Sequence, residues 1–492
     1  MRSSSGRGLR PGALGTLDTV VMAVAGSAPA YSIAATTTVL VATVGLAGPA
    51  ALLYCAIPML GIVLAFGRLG RLDVNAGAGY SWVGRTLHPF LGFLSGWALV
   101  VSATLFMVAG SLPAGATTLA LVDPDLADDR ALATAVGAAW FVAMLLVVLG
   151  GVRLTVRAQL VLSGVELVVL ALFVAAALVH GGSRVAFDWS WFGFAHFDGP
   201  AGFASGALVA TFYFWGWDVT SNLSEETRDS RRTAGLAALI GVGVVFLLFE
   251  AFTVAVNMFL TAEEIRASGS HVLDALGEAV WPGVGGRLLV LALLLSTVAT
   301  LETTLIQVTR SLFAMGRDRT MPAVLGRVHR RWHTPWAAVA AVGAVALTLF
   351  AASVALGSVG DVLAAGVSAI GLQIAFYYGL AGIAAVVAYR RTLLRSVRDF
   401  VLGGAWPLLG ALFMLWIFIE SLGELSGASV AIGLGGLAAG LVPMIYYWRK
   451  GSSYYRPAPL DATRPVDPDD DHGDRRSGRR PDYSGEALAT DY

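Results

Sequence analysis

The chain has 492 residues, 56% hydrophobic and 13% charged, whereas a soluble domain carries about 25% charged residues. Its 33 basic and 33 acidic residues cancel, which gives no basic surface for nucleic acid. Cys55 is the single cysteine, so there is neither an internal disulfide nor a cysteine-based metal site, and a mean hydropathy of +0.71 makes this an integral membrane chain.

Residues 1–15, "MRSSSGRGLRPGALG", are polar and basic, and about thirty apolar residues follow them. A secretory signal has a shorter apolar core and a small-residue cleavage site, so the first run is read as a retained span. Segments long enough to cross a bilayer fall near 16–43, 49–66, 91–121, 132–151, 158–180, 203–223, 234–260, 287–313, 336–357, 363–389, 400–420 and 428–448. With the N-terminus inside, only Arg130, Arg184, Arg266 and Arg287 fall on outer segments; every other basic residue lies inside. That asymmetry predicts twelve helices in the cytoplasmic membrane with both termini cytoplasmic. Beyond Trp448, residues 449–492 turn rich in Asp, Arg, Pro and Gly without apolar periodicity, as in "RPVDPDDDHGDRRSGRRPDYSGE", and are expected to be a disordered cytoplasmic tail.

Two spans are interrupted. In "AVAGSAPAYSIA", residues 23–34, Gly26 weakens a helix and Pro29 lacks the N–H that a helix interior needs. In "VATFYFWGWDVTSNLSEET", residues 209–227, Gly216 and Asp218 interrupt the sixth span. One such kink means little, because Gly and Pro are common in membrane helices. Here each break opens a block of five spans, 16–180 and 203–389, and the two blocks run in opposite senses. That is the pattern of inverted-repeat transporters, whose broken helices expose backbone groups to a ligand. Residues 400–448 add two further helices.

Three carboxylates lie within spans: Glu166, Glu250 and Glu302. Intramembrane acids mark proton or ion routes, although Glu250 could equally pair with a polar neighbour. Thr300 and Thr304, four residues apart beside Glu302, share a helix face as cation-site hydroxyls would. The Gly-rich stretches "GRLGRLD" and "NAGAGY" lack the Gly-Lys-Ser/Thr ending of a phosphate loop, and the seven His show no metal-ligand spacing. With no catalytic cluster, no enzyme is expected and no cofactor or metal either. Residues 261–281 read as an amphipathic outer helix, either a gate or a cap on the bundle.

"AGSAPAYS", "NAGAGYSWVGRTLHPFLGFLSGW", "FYFWGWDVTSNLSEET" and "RSLFAMGRDRTMP" together resemble the amino acid–polyamine–organocation superfamily of permeases, over residues 12 to about 450. The resemblance implies the LeuT-like fold, five plus five inverted helices with two more at the C-terminus. It also implies that N–H groups at the first break hold a substrate carboxylate. Such permeases typically show Gly-Ser-Gly-Ile there; this chain has Gly26, Ser27, Ala28 and Pro29, leaving Ser27, Ala28 and Ala30 as donors. By the same resemblance Phe212 is a lid over the substrate, an aromatic there being otherwise an ordinary packing residue. Trp215 and Trp217 flank the hinge Gly216, and Asp218 at the break either attracts an ammonium group, as a mid-membrane carboxylate would, or caps the following helix. Glu166 matches a position where several relatives carry a Lys in place of a bound sodium ion. An acid there would carry a coupling proton, or ligate sodium together with the Thr300, Glu302 and Thr304 stretch; the proton is the favoured coupling ion. The function implied is a secondary permease for an amino acid or related small amine, working by alternating access. The alternatives are a polyamine or amine carrier, an exchanger, or a transporter-derived sensor. Its partners are a small-molecule substrate and the lipid bilayer; the oligomeric state is not legible.

Overall fold

A computed structural model describes residues 8–179, 183–355 and 359–463. Among them every regular element is a helix, and one isolated bridge joins Leu14 and Thr227. The helices are α1 (Thr16–Gly26), α2 (Pro29–Val44), α3 (Gly48–Leu72), α4 (Gly79–Thr86), α5 (Pro89–Val122), α6 (Arg130–Leu149), α7 (Val152–Val179), α8 (Gly199–Thr211), α9 (Val219–Asn222) and α10 (Ser230–Phe259). They continue with α11 (Ala262–Ser268), α12 (Val272–Val280), α13 (Gly285–Arg317), α14 (Trp336–Ala355), α15 (Val359–Tyr389), α16 (Val397–Phe400), α17 (Trp406–Glu424), α18 (Gly427–Ala439) and α19 (Leu441–Arg449). Nine helical stretches among the described residues are long and apolar enough to cross a membrane, the first running from Thr16 to Leu72 across α1, α2 and α3.

Both sequence breaks are present in the backbone. α1 opens with the Asp18 carboxylate accepting the Gly15 N–H at 2.8 Å and stops at Gly26. α2 then opens with Pro29 in its first turn, where a missing N–H leaves no helical bond unmade. Between them Ala28 takes a left-handed conformation (φ 49°), a strained choice for a residue with a Cβ, and the chain turns there. α8 has only 13 residues; a 3₁₀ turn, Phe212–Phe214, follows it. Trp215 is then extended and Gly216 sits at φ 93°, before the single turn of α9.

α13 is the central element: every residue from Ser296 to Gly316 is buried, and it packs on α5, α7, α1 and α9. α3 packs along α10, α15 lies against α5 and α3, and α17 and α18 cover the outside of α15. The segment before α1 runs beside the turn after α9, with Leu14 N–H donating to Glu226 O at 3.0 Å and Arg228 N–H to Leu14 O at 2.8 Å. The two broken helices are therefore tied to each other at one face of the molecule. Both described chain ends lie on this face.

Two expectations need correction. Residues 261–281 form two short helices, α11 and α12, because Gly269 takes φ 51° between them. α11 carries a capping box from Thr261 to Glu264. Hydrogen bonds from the Thr261 backbone and from Arg184 hold the Glu264 carboxyl down at about 2. The C-terminal segment also stays with the fold further than expected. Tyr454 is buried, stacks on Tyr80 with ring centroids 4.5 Å apart, and donates its hydroxyl to Tyr80 O at 2.9 Å. Leu460 N–H bonds Arg85 O at 3.1 Å. Aromatic residues in "SSYYRP" supply the apolar surface that the rest of the tail lacks. Residues 464–492 of the tail, and 1–7 of the N-terminal segment, lie outside the described residues.

Candidate substrate site at the two helix breaks

The two breaks meet. A Cβ added to Gly26 would overlap the Gly216 carbonyl, and one added to Gly216 would overlap the Gly26 carbonyl. Gly216 is doubly constrained, by this contact and by its positive φ. Two non-helical segments thus cross in the interior, where unpaired backbone groups survive only beside a cavity or partner atoms.

At the first break the expected donors have partners already. Ser27 N–H bonds Ala23 O and Val24 O (3.3 and 3.1 Å), and Ala28 N–H bonds Ala25 O at 3.2 Å. The Ser27 hydroxyl donates back to Ala23 O at 3.1 Å, so its side chain serves its own helix. Ala30 N–H donates to Glu166 Oε1 at 3.0 Å, and Tyr31 N–H to the Ser296 hydroxyl at 3.2 Å. The first turn of α2 is therefore filled by α7 and α13.

At the second break Asp218 is 2% exposed, and its side chain caps no helix. Oδ1 accepts from Tyr378 OH at 3.0 Å; Oδ2 accepts from Tyr377 OH at 3.1 Å and from Gln307 Nε2 at 2.9 Å. Gln307 also reaches Asn222 Oδ1 at 3.2 Å. These partners are all neutral. A buried carboxylate held by dipoles alone is costly unless a cation joins it. A small cavity is lined by Asp218, Asn222 and Tyr377 together with Tyr80, Ser95 and Leu99.

A row of aromatic rings runs from Tyr377 back to the first break. Trp215 donates its indole N–H to Tyr377 OH at 3.2 Å and meets Phe106 edge-on at 5.5 Å. Phe106 in turn meets Tyr31 at 5.9 Å. Phe212 is 36% exposed and its ring lies against Gly371 of α15, nearly two turns before Tyr377. Trp217 is fully buried between Phe66 and Tyr378, with its N–H on Phe214 O at 2.9 Å. It packs the hinge instead of facing the cavity.

The expected ion-coupling residues separate into two places. Thr300 lies on the α1 side, its hydroxyl 3.0 Å from Ala25 O and 2.8 Å from Ser296 O. Thr304 is buried one turn further on. Glu302 points instead to α7, where Gln159 Nε2 donates to Oε2 at 2.6 Å. The Ser163 hydroxyl donates to Gln159 Oε1 at 3.2 Å. Gln159, Ser163 and Glu166 recur at helical spacing and form a polar stripe from Glu302 to the first break. Of the two readings open for Glu250, a polar partner is not found: neither of its oxygens accepts a hydrogen bond among the described residues.

Tyr377, Tyr378, Gln307 and Phe106 escaped the sequence reading because they reach the breaks from other helices, and Tyr31, in the first turn of α2, because its partners Ser296 and Phe106 come from α13 and α5. Gln307, an amide deep in an apolar span, was the one available signal.

A membrane helix bundle with two crossing breaks, an interior carboxylate and an aromatic wall defines a small-solute transporter. Residues 14–433 match the model of the Amino acid permease family, and the chain belongs to that family. It is similar to the low-affinity putrescine importer PlaP of Escherichia coli, with 28% identity over 80% of this chain and 84% of that protein. It is also similar to the b(0,+)-type amino acid transporter 1 of Homo sapiens, 24% identical over 61% of this chain and 62% of that one. The serine/threonine exchanger SteT of Bacillus subtilis matches at 24% identity over 30% of this chain and 34% of its own. The chain is a permease and not an enzyme.

Proposed function

We propose that this permease carries a small cationic amine, of the diamine kind, across the cytoplasmic membrane. The observation that carries the reading is Asp218, a buried carboxylate whose partners among the described residues are all neutral, set at the second break beside a cavity. An ammonium group supplies the missing positive charge, and Trp215, Phe106, Tyr31 and Tyr377 offer ring faces to an alkylammonium chain. The putrescine importer among its relatives supports the same substrate class. Amino acid relatives favour a zwitterion instead, but such a substrate needs N–H donors for its carboxylate, and those of Ser27, Ala28, Ala30 and Tyr31 are all engaged.

The arrangement is twelve spans, both termini cytoplasmic, two inverted five-helix repeats and two further helices. The repeats rock about the Gly26–Gly216 crossing to open the site to either side in turn. Transport is coupled to protons. Glu166 and Glu302 each keep one oxygen without a partner among the described residues, at opposite ends of the α7 polar stripe. The Thr300 hydroxyl, by contrast, already lies on Ala25 O and Ser296 O. The test is uptake by proteoliposomes of labelled amines and labelled amino acids, each under an inward proton gradient, an inward sodium gradient, or neither. Amines should accumulate with the proton gradient alone, and Glu166→Gln should lose that accumulation while still exchanging substrate. Accumulation confined to amino acids, or driven only by sodium, would overturn the reading.

A further inference from the structure

We infer that Glu166 is a selectivity element that excludes substrates bearing an α-carboxylate. The inference rests on the amine reading above and explains how the site enforces it. A helix N-terminus holds orphan N–H groups and the positive end of the helix dipole, and it attracts one anion. α2 is a 16-residue helix whose N-terminus lies inside the protein at the crossing of the two breaks. Its first residue, Pro29, brings no N–H. The Ala30 N–H is taken by Glu166 Oε1 and the Tyr31 N–H by Ser296 Oγ.

Glu166 is 0% exposed, comes from α7, 136 residues away in sequence, and its Oε2 has no partner among the described residues. The chain thus places its own carboxylate on the N–H groups that would otherwise receive one from a ligand. A substrate carboxylate arriving there would find the Ala30 N–H already bonded and, whenever Glu166 has released its proton, would meet a like charge as well. An amine substrate meets neither obstacle, because it needs only Asp218 and the rings. The two carboxylates divide the work: Asp218 selects for a cation, and Glu166 selects against an anion on the same molecule. Discrimination by an introduced repulsion is a general device for specificity.

The experiment compares compounds that differ only by that carboxylate: putrescine with ornithine, and cadaverine with lysine. Equilibrium binding to the purified full-length protein is measured without any ion gradient, so a change in coupling does not enter. In the wild type the decarboxylated member of each pair should bind tighter by about tenfold or more, the worth of one charge-assisted hydrogen bond. In Glu166→Ala the ratio should fall by about tenfold through a gain for ornithine and lysine, as the vacated N–H donates to their carboxylate. Glu166→Gln keeps an acceptor for Ala30 N–H but removes the charge; it should shift the ratio the same way by less. It decides the matter if the alanine variant does not elute as a folded monodisperse species.

A ratio unchanged in a folded variant, while the wild type still prefers the decarboxylated partner, overturns the role of Glu166 and leaves the amine reading standing. A wild type that prefers ornithine and lysine overturns both.

Discussion

Replacing Asp218 by Asn should weaken diamine binding by about 100-fold, with little loss of folded protein. The size follows from what is removed. Taking away one member of a buried ion pair costs about 3–5 kcal/mol, and each tenfold in affinity is about 1.4 kcal/mol, so two orders of magnitude is the lower end. The fold should tolerate the change because the partners of Asp218 are neutral: Tyr378, Tyr377 and Gln307 lose hydrogen-bond quality but strand no opposite charge. Asn is nearly isosteric and still offers one carbonyl oxygen to a tyrosine hydroxyl. Competition binding with labelled diamine, run beside a melting measurement in detergent, checks both halves. Wild-type affinity in the variant would remove Asp218 from the site. A collapse of stability would make it a structural residue instead.

Arg310→Met should have the opposite profile, a large loss of stability whatever the substrate. Arg310 and Glu226 are both 0% exposed, paired through Nε to Oε2 at 2.9 Å and Nη2 to Oε1 at 3.2 Å. The pair joins α13 to the turn after α9, on the face where Leu14 also bonds the Glu226 carbonyl. An outer layer continues it: Arg317 holds Glu225 at 2.9 and 3.0 Å, and Glu225 accepts the Ala76 N–H at 2.8 Å. Removing the guanidinium leaves the Glu226 charge buried without its counter-ion, which destabilises by about 3–5 kcal/mol. Replacing both, Arg310→Met with Glu226→Leu, should recover much of that loss, because a buried pair is often no more stable than apolar residues of similar volume. Thermal aggregation of detergent-solubilised protein reads the difference. Equal stability of wild type and single variant, or no recovery in the double variant, would contradict this account.

The sequence carried the membrane class and both breaks because each depends on local chemistry: apolar runs, a Gly-Ser-Ala-Pro step, and a Gly flanked by tryptophans. The described residues are largely helical over the predicted apolar segments, and nine helical stretches among them are long and apolar enough to cross a membrane. Partners across helices were not legible. Asp218 stood out as an intramembrane acid, but its clasp of Tyr377, Tyr378 and Gln307 arises only when α13 and α15 pack against α9. The contact between Ala30 and Glu166 spans 136 residues, so the N–H groups expected to be free at the first break could not be seen as occupied. Nor does flanking a hinge in sequence say which way the Trp217 ring turns. Thr300 and Glu302, two residues apart, point to different neighbours because helical spacing sends them to different faces.

The central claim is that the substrate is a cation held by Asp218, and counterflow tests it most directly because it needs no gradient. Proteoliposomes are loaded with unlabelled diamine, or with the corresponding amino acid, and diluted into a trace of labelled diamine. Label should enter transiently and strongly in diamine-loaded vesicles, weakly in amino-acid-loaded ones, and not at all with Asp218→Asn. Counterflow supported only by the amino acid, or unaffected by loss of Asp218, would contradict it.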